Sequence, residues 1–174
     1  MLRKALPGVV LAAALAAPAA AQTVDEVIAR SVAARGGLDR LKAVQSIRMT
    51  GTLSMGPMEA PMVIETERPA SLRMDVTVQG ALAVQAYDGT TAWTIAPMGT
   101  GRAEALPAEA AREMAVQADF DGPLVDSVAK GYRVELLGRE KAGGRDAFKL
   151  QVTRKDGEVA YYFLDAETYL PVRF

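Results

Sequence analysis

Leu72-Arg73-Met74-Asp75-Val76-Thr77-Val78-Gln79-Gly80 is the stretch whose reading decides the fold. Leu72, Met74, Val76 and Val78 alternate with Arg73, Asp75, Thr77 and Gln79. Successive side chains of a strand point to opposite faces, so this is a strand with one apolar and one polar face. The same period of two runs upstream. Ile47, Met49, Gly51, Leu53 and Met55 alternate with Arg48, Thr50, Thr52 and Ser54. After the Gly56-Pro57 turn, Met58, Ala60, Met62 and Ile64 form one face of a strand that ends before Pro69. Downstream, a strand from about Leu82 to Tyr87 meets Asp88-Gly89, a hairpin signal because both residues tolerate positive φ. The next strand, Thr91 to Ala96, carries the single tryptophan, Trp93.

Helices are predicted on either side of this meander. Thr23-Val24-Asp25-Glu26 has the form of a capping box, and Val24, Val27, Ile28 and Val32 follow at helical spacing until Gly36-Gly37. A short helix is expected over Leu38 to Ala43. Past the loop Pro97 to Gly101, a helix is expected from Pro107 through Ala118 and a short one from Leu124 to Ala129. Strands over Tyr132 to Arg139, Ala147 to Arg154 and Glu158 to Leu164 are joined by turns at Gly143-Gly144 and Asp156-Gly157, and a last one begins near Tyr169. One-sided strands describe an antiparallel sheet with one face on a core or cavity. Two packed sheets satisfy the pattern. A curved sheet forming an incomplete β-barrel, in an α+β domain whose helices cover the open side, satisfies it better, since the helices otherwise have little to pack on.

The first residues predict export. Arg3 and Lys4 precede an apolar, alanine-rich run, and Ala19-Ala20-Ala21 before Gln22 suits a signal peptidase. The expected organisation is a signal peptide, 1–21, cleaved after Ala21, and a single domain, 22–174, in the periplasm. Removing Arg3 and Lys4 from the 20 basic side chains leaves 18 against 21 acidic ones, a formal charge of −3. No basic cluster for a nucleic-acid backbone is expected from that balance.

The chain has no cysteine and no histidine. That removes thiol chemistry, the commonest general base and the commonest zinc ligand. Asp119-Phe120-Asp121-Gly122, with Asp126 beyond, lacks the ligand series of a calcium loop and is read as a helix exit whose aspartates bond to backbone N–H groups. No serine lies in a Gly-x-Ser-x-Gly elbow, and no glycine-rich loop leads to a lysine at phosphate-binding spacing. No catalytic residue, metal site or cofactor is expected. A carboxylate-dependent hydrolase is the weakest reading carried forward.

Methionine stands out instead. Met49, Met55, Met58, Met62, Met74, Met98 and Met114 fall in 22–174, several on apolar strand faces. Methionine is flexible and polarizable, which suits a surface that accepts ligands of varied shape. The predicted apolar cavity is lined by Met49, Leu53, Met62, Ile64, Leu72, Met74, Val76, Val78, Trp93, Ile95 and Met114.

Two stretches carry a family resemblance. Glu67-Arg68-Pro69-Ala70-Ser71-Leu72-Arg73-Met74, followed by Tyr87-Asp88-Gly89-Thr90-Thr91-Ala92-Trp93-Thr94-Ile95-Ala96-Pro97, resembles the central signature of periplasmic outer-membrane lipoprotein carriers of the LolA type. Gly36-Gly37-Leu38 and Ala118-Asp119-Phe120-Asp121-Gly122-Pro123-Leu124-Val125-Asp126 are similar to a bacterial branch of outer-membrane lipoprotein-sorting proteins. The resemblance implies an incomplete barrel with a helical lid over an apolar cavity that shields lipoprotein acyl chains or other lipids, received from an inner-membrane donor and passed to an outer-membrane acceptor. It also implies further strands beyond Phe174. Arg48 and Arg73 are the candidates for holding the lid through helix carbonyls. The same superfamily fold serves regulatory sensors of the envelope, which bind lipid or polypeptide, and that is the alternative reading.

Overall fold

The computed structural model describes residues 22–173, at Met55 the backbone only; the expected signal peptide lies outside the described residues. Helix α1 (Val24–Ala34) begins with the expected capping box: the Thr23 hydroxyl accepts the Glu26 N–H at 3.3 Å, and the Glu26 carboxylate accepts the Thr23 N–H at 3.0 Å. Gly36 and Gly37, at φ +104° and +89°, turn the chain into α2 (Leu38–Ala43).

Five strands then meander: β1 (Ser46–Met55), β2 (Met58–Glu67), β3 (Ser71–Val78), β4 (Ala81–Tyr87) and β5 (Ala92–Ile95). The β4–β5 hairpin turns at Asp88-Gly89, where the Asp88 carboxylate accepts the N–H groups of Thr90 and Thr91 at 2.9 and 2.8 Å. A two-residue strand, β6 (Glu104–Ala105), completes a six-stranded antiparallel sheet in sequence order. Helix α3 (Ala108–Gln117) follows. The second sheet is also antiparallel, in the order β10-β9-β8-β7, from β7 (Arg133–Ala142), β8 (Arg145–Thr153), β9 (Val159–Asp165) and β10 (Pro171–Arg173).

The architecture is thus the expected α+β one: mainly antiparallel strands with helices laid on them, open rather than closed into a barrel. Hydrogen bonding divides the strands into two sheets, with α3 in the connection between them. Each sheet has its own core. Val27 of α1 packs with Leu124 and with Phe148, Leu150, Val152 and Leu164 of β8 and β9. Alternation along β8 puts Phe148, Leu150 and Val152 on one face, where they are essentially sealed from water. The second core joins Met114 and Ala118, at the end of α3, to Leu72 and Ala92 of the six-stranded sheet.

Two expectations are corrected. Residues 124–129 form successive turns, not a helix. Leu124 and Val125 are buried in them, so packing rather than a helical ladder holds the segment. The strand Glu104–Ala105 carries no periodicity of its own; it pairs with β5 because the chain returns alongside Trp93 and Thr94.

Candidate functional site

Strand register decides which side chains share a face. Met49 pairs with Ile64, Ile64 with Met74, and Met74 with Gln85. In the adjacent row Gly51 pairs with Met62, Met62 with Val76, and Val76 with Ala83. Leu53 pairs with Ala60, Leu72 with Tyr87 and Val78 with Ala81. Directly opposed residues project to the same side. Met49, Leu53, Met62, Ile64, Leu72, Met74, Val76 and Val78 therefore lie on one face, as the alternation predicts.

Helix α3 covers this face at one end only. Leu72 and Met114 are buried there, with Ile64, Met74 and Tyr87 packed around them. Away from the helix, Met62, Val76 and Val78 are half-buried and Met49 is 50% exposed. Leu53 is half-buried beside the exposed Gly51. The result is an apolar sheet face roofed at one end, with adaptable side chains in the uncovered part. Met98 belongs to neither part: it stands exposed in the loop after β5.

Trp93 and Ile95 do not join this lining. Trp93 pairs with Ala86, Ala86 with Arg73, Arg73 with Glu65 and Glu65 with Arg48. Ile95 pairs with Val84. Both therefore project from the opposite face, because each strand inverts at every residue. A depression of about 480 Å³ lies there, lined in part by Arg48, Glu65, Arg73 and Trp93.

The same parity corrects the two lid-holding candidates. Arg48 pairs with Glu65 at 3.1 Å, and Arg73 pairs with Asp75 at 2.9 Å, its guanidinium 6.0 Å from the Trp93 ring centre. They alternate with the residues that face α3, so they project away from it.

The arginine that does hold a helix is Arg68, in the turn between β2 and β3. Its Nη2 donates to the Leu41 carbonyl of α2 at 2.8 Å, and its Nε donates to the Val44 carbonyl at 2.7 Å. Both Nη atoms also donate to the Asp121 carboxylate, at 2.9 and 2.7 Å, while the guanidinium lies 4.4 Å from the Phe120 ring centre. Lys42 adds bonds to Asp121 at 2.7 Å and to Asp126 at 2.8 Å. Hydrogen bonds from Arg68, and then from Lys42, hold the Asp121 carboxyl far below the ordinary aspartate range despite its partial burial. Nearby, Lys130 binds Asp119 at 2.6 Å and the Gly122 carbonyl at 2.8 Å.

The aspartates of 119–126 thus serve as ion-pair partners for Arg68, Lys42 and Lys130, where the sequence led us to expect bonds to backbone N–H groups. Among the described residues no group of three or more carboxylates is placed to hold a metal ion. The clasp ties α2, the β2–β3 turn and the segment after α3 together, and thereby fixes where α3 leaves the sheet. The Arg-Pro pair was visible in the sequence; its partner Asp121 was not, being far away along the chain.

No protein-family model matches the chain, and no curated protein matches it. Among solved structures it is similar to a DUF1329 family protein from Desulfovibrio piger, with a TM-score of 0.52 at 13% identity, over 87% of this chain and 72% of that one. It is also similar to an outer membrane lipoprotein-sorting protein domain from Vibrio parahaemolyticus, with a TM-score of 0.43 at 18% identity, over 79% of this chain and 70% of that one. At 13% identity the first likeness is one of fold alone. Together with the architecture above, the first of them bears out the mainly antiparallel α+β fold expected from the sequence.

Proposed function

We propose that this protein is a periplasmic carrier that reversibly binds the acyl chains of lipoproteins or other lipids on the α3-roofed face of its six-stranded sheet. The observation that carries the reading is the pair of rows Met49–Ile64–Met74 and Gly51–Met62–Val76, apolar throughout yet left half-covered. A contiguous apolar face outside the core is what an acyl chain needs: each methylene removed from water contributes about 0.8 kcal/mol. A carrier must also release its cargo. Methionine side chains that repack at small cost, and a roof that covers one end only, suit exchange better than a rigid enclosed pocket. Export past the inner membrane, cleavage after Ala21, and hand-over between an inner-membrane donor and an outer-membrane acceptor are parts of the same proposal, supported by the alanine-rich leader and the sequence resemblance. The chemistry required is association alone, with no bond made or broken.

Mass spectrometry of molecules extracted from the protein, purified gently from a bacterial periplasm, tests the reading. Acylated lipid or lipoprotein at about one per chain is expected. The double variant Met49→Asp, Met62→Asp, on the uncovered part of the face, is expected to stay folded and to lose it. A well-folded protein that arrives empty, or a double variant that keeps its full load, would overturn the proposal.

A further inference from the structure

A second cavity, of about 430 Å³, lies away from that sheet face, where α1, the C-terminal end of α3, the segment 119–124 and the β9–β10 edge meet. Its walls include Val116, Leu124, Phe163 and Leu164, so much of its lining is apolar. Two polar side chains at the C-terminal end of α1 break that lining: Ser31 and the capping residue Arg35, four positions apart. Ser31 is 1% exposed, and its hydroxyl has no hydrogen-bond partner among the described residues. The Arg35 Nε is also buried and likewise has no hydrogen-bond partner among the described residues. Burial lowers the Arg35 guanidinium from its ordinary value by more than the nearby Asp121 carboxylate raises it. A buried hydroxyl and a buried guanidinium N–H without hydrogen-bond partners are both costly, and native structures satisfy such groups.

The charges around the cavity favour an anion. Asp119 and Asp121 line it, but Lys130 engages the first, and Arg68 and Lys42 engage the second. Arg173, also in the lining, lies over the Phe163 ring at 5.7 Å. The carboxylates are thus matched by cations outside the cavity, while Arg35 and Arg173 remain to face a ligand.

We propose that this cleft binds a single-chain amphiphile, its carboxylate or phosphate headgroup taken by Arg35 and Ser31 and its chain lying against Val116, Leu124 and Phe163. Arg35 offers a planar fork of donors suited to either anion, and Ser31 offers one more. The volume falls in the range that encloses one small ligand. This site is separate from the proposed carrier face and does not depend on it.

Titration calorimetry on the chain expressed from its full sequence and delipidated, with dodecanoate, dodecyl phosphate, dodecanol and inorganic phosphate as probes, tests the assignment. One dodecanoate or dodecyl phosphate per chain is expected to bind, and dodecanol at least about tenfold more weakly, since a charge-assisted bond is lost. Arg35→Gln is expected to weaken the two anionic probes about tenfold or more while leaving the melting temperature nearly unchanged, because the Arg35 Nε makes no hydrogen bond and burial outweighs the pull of Asp121. Ser31→Ala is expected to weaken them less. Met49→Asp, Met62→Asp is expected to leave them unaffected. Equal binding of dodecanol and dodecanoate, or Arg35→Gln binding like the parent, would overturn the headgroup assignment. So would loss of dodecanoate in the Met49, Met62 variant alone, which would move the ligand to the sheet face and leave the carrier reading standing. Inorganic phosphate binding as tightly as dodecyl phosphate would overturn the amphiphile and leave a bare anion site.

Discussion

Arg68, Arg48 and Arg73 carry the same charge and differ in what they can reach. Arg48 and Arg73 sit within strands, so alternation fixes them on the face away from α3, where each pairs with an acidic neighbour, Arg48 largely in water and Arg73 partly so. Exposed pairs of that kind contribute little. Arg68 stands in a turn, free of that constraint, and spends its donors on two main-chain carbonyls and a carboxylate. Thermal melts are therefore expected to show Arg68→Ala lowering Tm by several degrees, and Arg48→Ala and Arg73→Ala changing it hardly at all. The clasp also predicts acid behaviour. Because the folded Asp121 carboxyl titrates below its ordinary value of 3.8, its contribution is fully present above that pH and is lost as pH falls beneath it. Melting the parent and Asp121→Asn across that range should show a parent advantage at neutral pH that shrinks on acidification. A constant difference would mean that Asp121 stabilises the fold by shape alone.

At the scale of elements, local signals were easiest to read where they act on the backbone directly. Thr23 and Glu26 satisfy N–H groups that the first turn of α1 leaves open, so spacing alone was enough to place the helix start. Thr23→Ala is expected to cost about 1 kcal/mol in denaturant unfolding. The helix should persist in that variant, since Val27 remains buried against Leu150 and its neighbours. Asp88-Gly89 was legible for the same reason: the carboxylate caps its own turn. The segment 124–129 misled because its apolar residues repeat at a spacing that fits a helix, whereas their burial is decided by what lies opposite. For β6 there was nothing to read, since a two-residue strand exists only through its partner β5.

For the whole molecule, stability and the proposed binding function are expected to separate between the two sheets. Leu150→Ala, at the centre of the sealed core, is expected to cost about 3 kcal/mol, or about 10 °C in Tm for a chain of this size. Met62→Ala, on the half-covered face, is expected to cost less, about 1 kcal/mol, since that side chain is only half-buried. Comparable losses at the two positions would mean that the uncovered face is part of the core. By itself the sequence determined the longer strands, the apolar side of the first three, the first helix and its cap, and the α+β class. These follow from periodicity and backbone chemistry, which act over a few residues. It also held the parity that places Trp93 and Ile95 opposite Met74, though hydrophobicity pointed the other way. Only the tertiary structure decided that the strands divide into two sheets, that α3 roofs one end of an apolar face, that Arg68 meets Asp121, and that Ser31 and Arg35 open into a cleft. Those facts depend on residues distant along the chain being brought together, and no local pattern records which ones will meet.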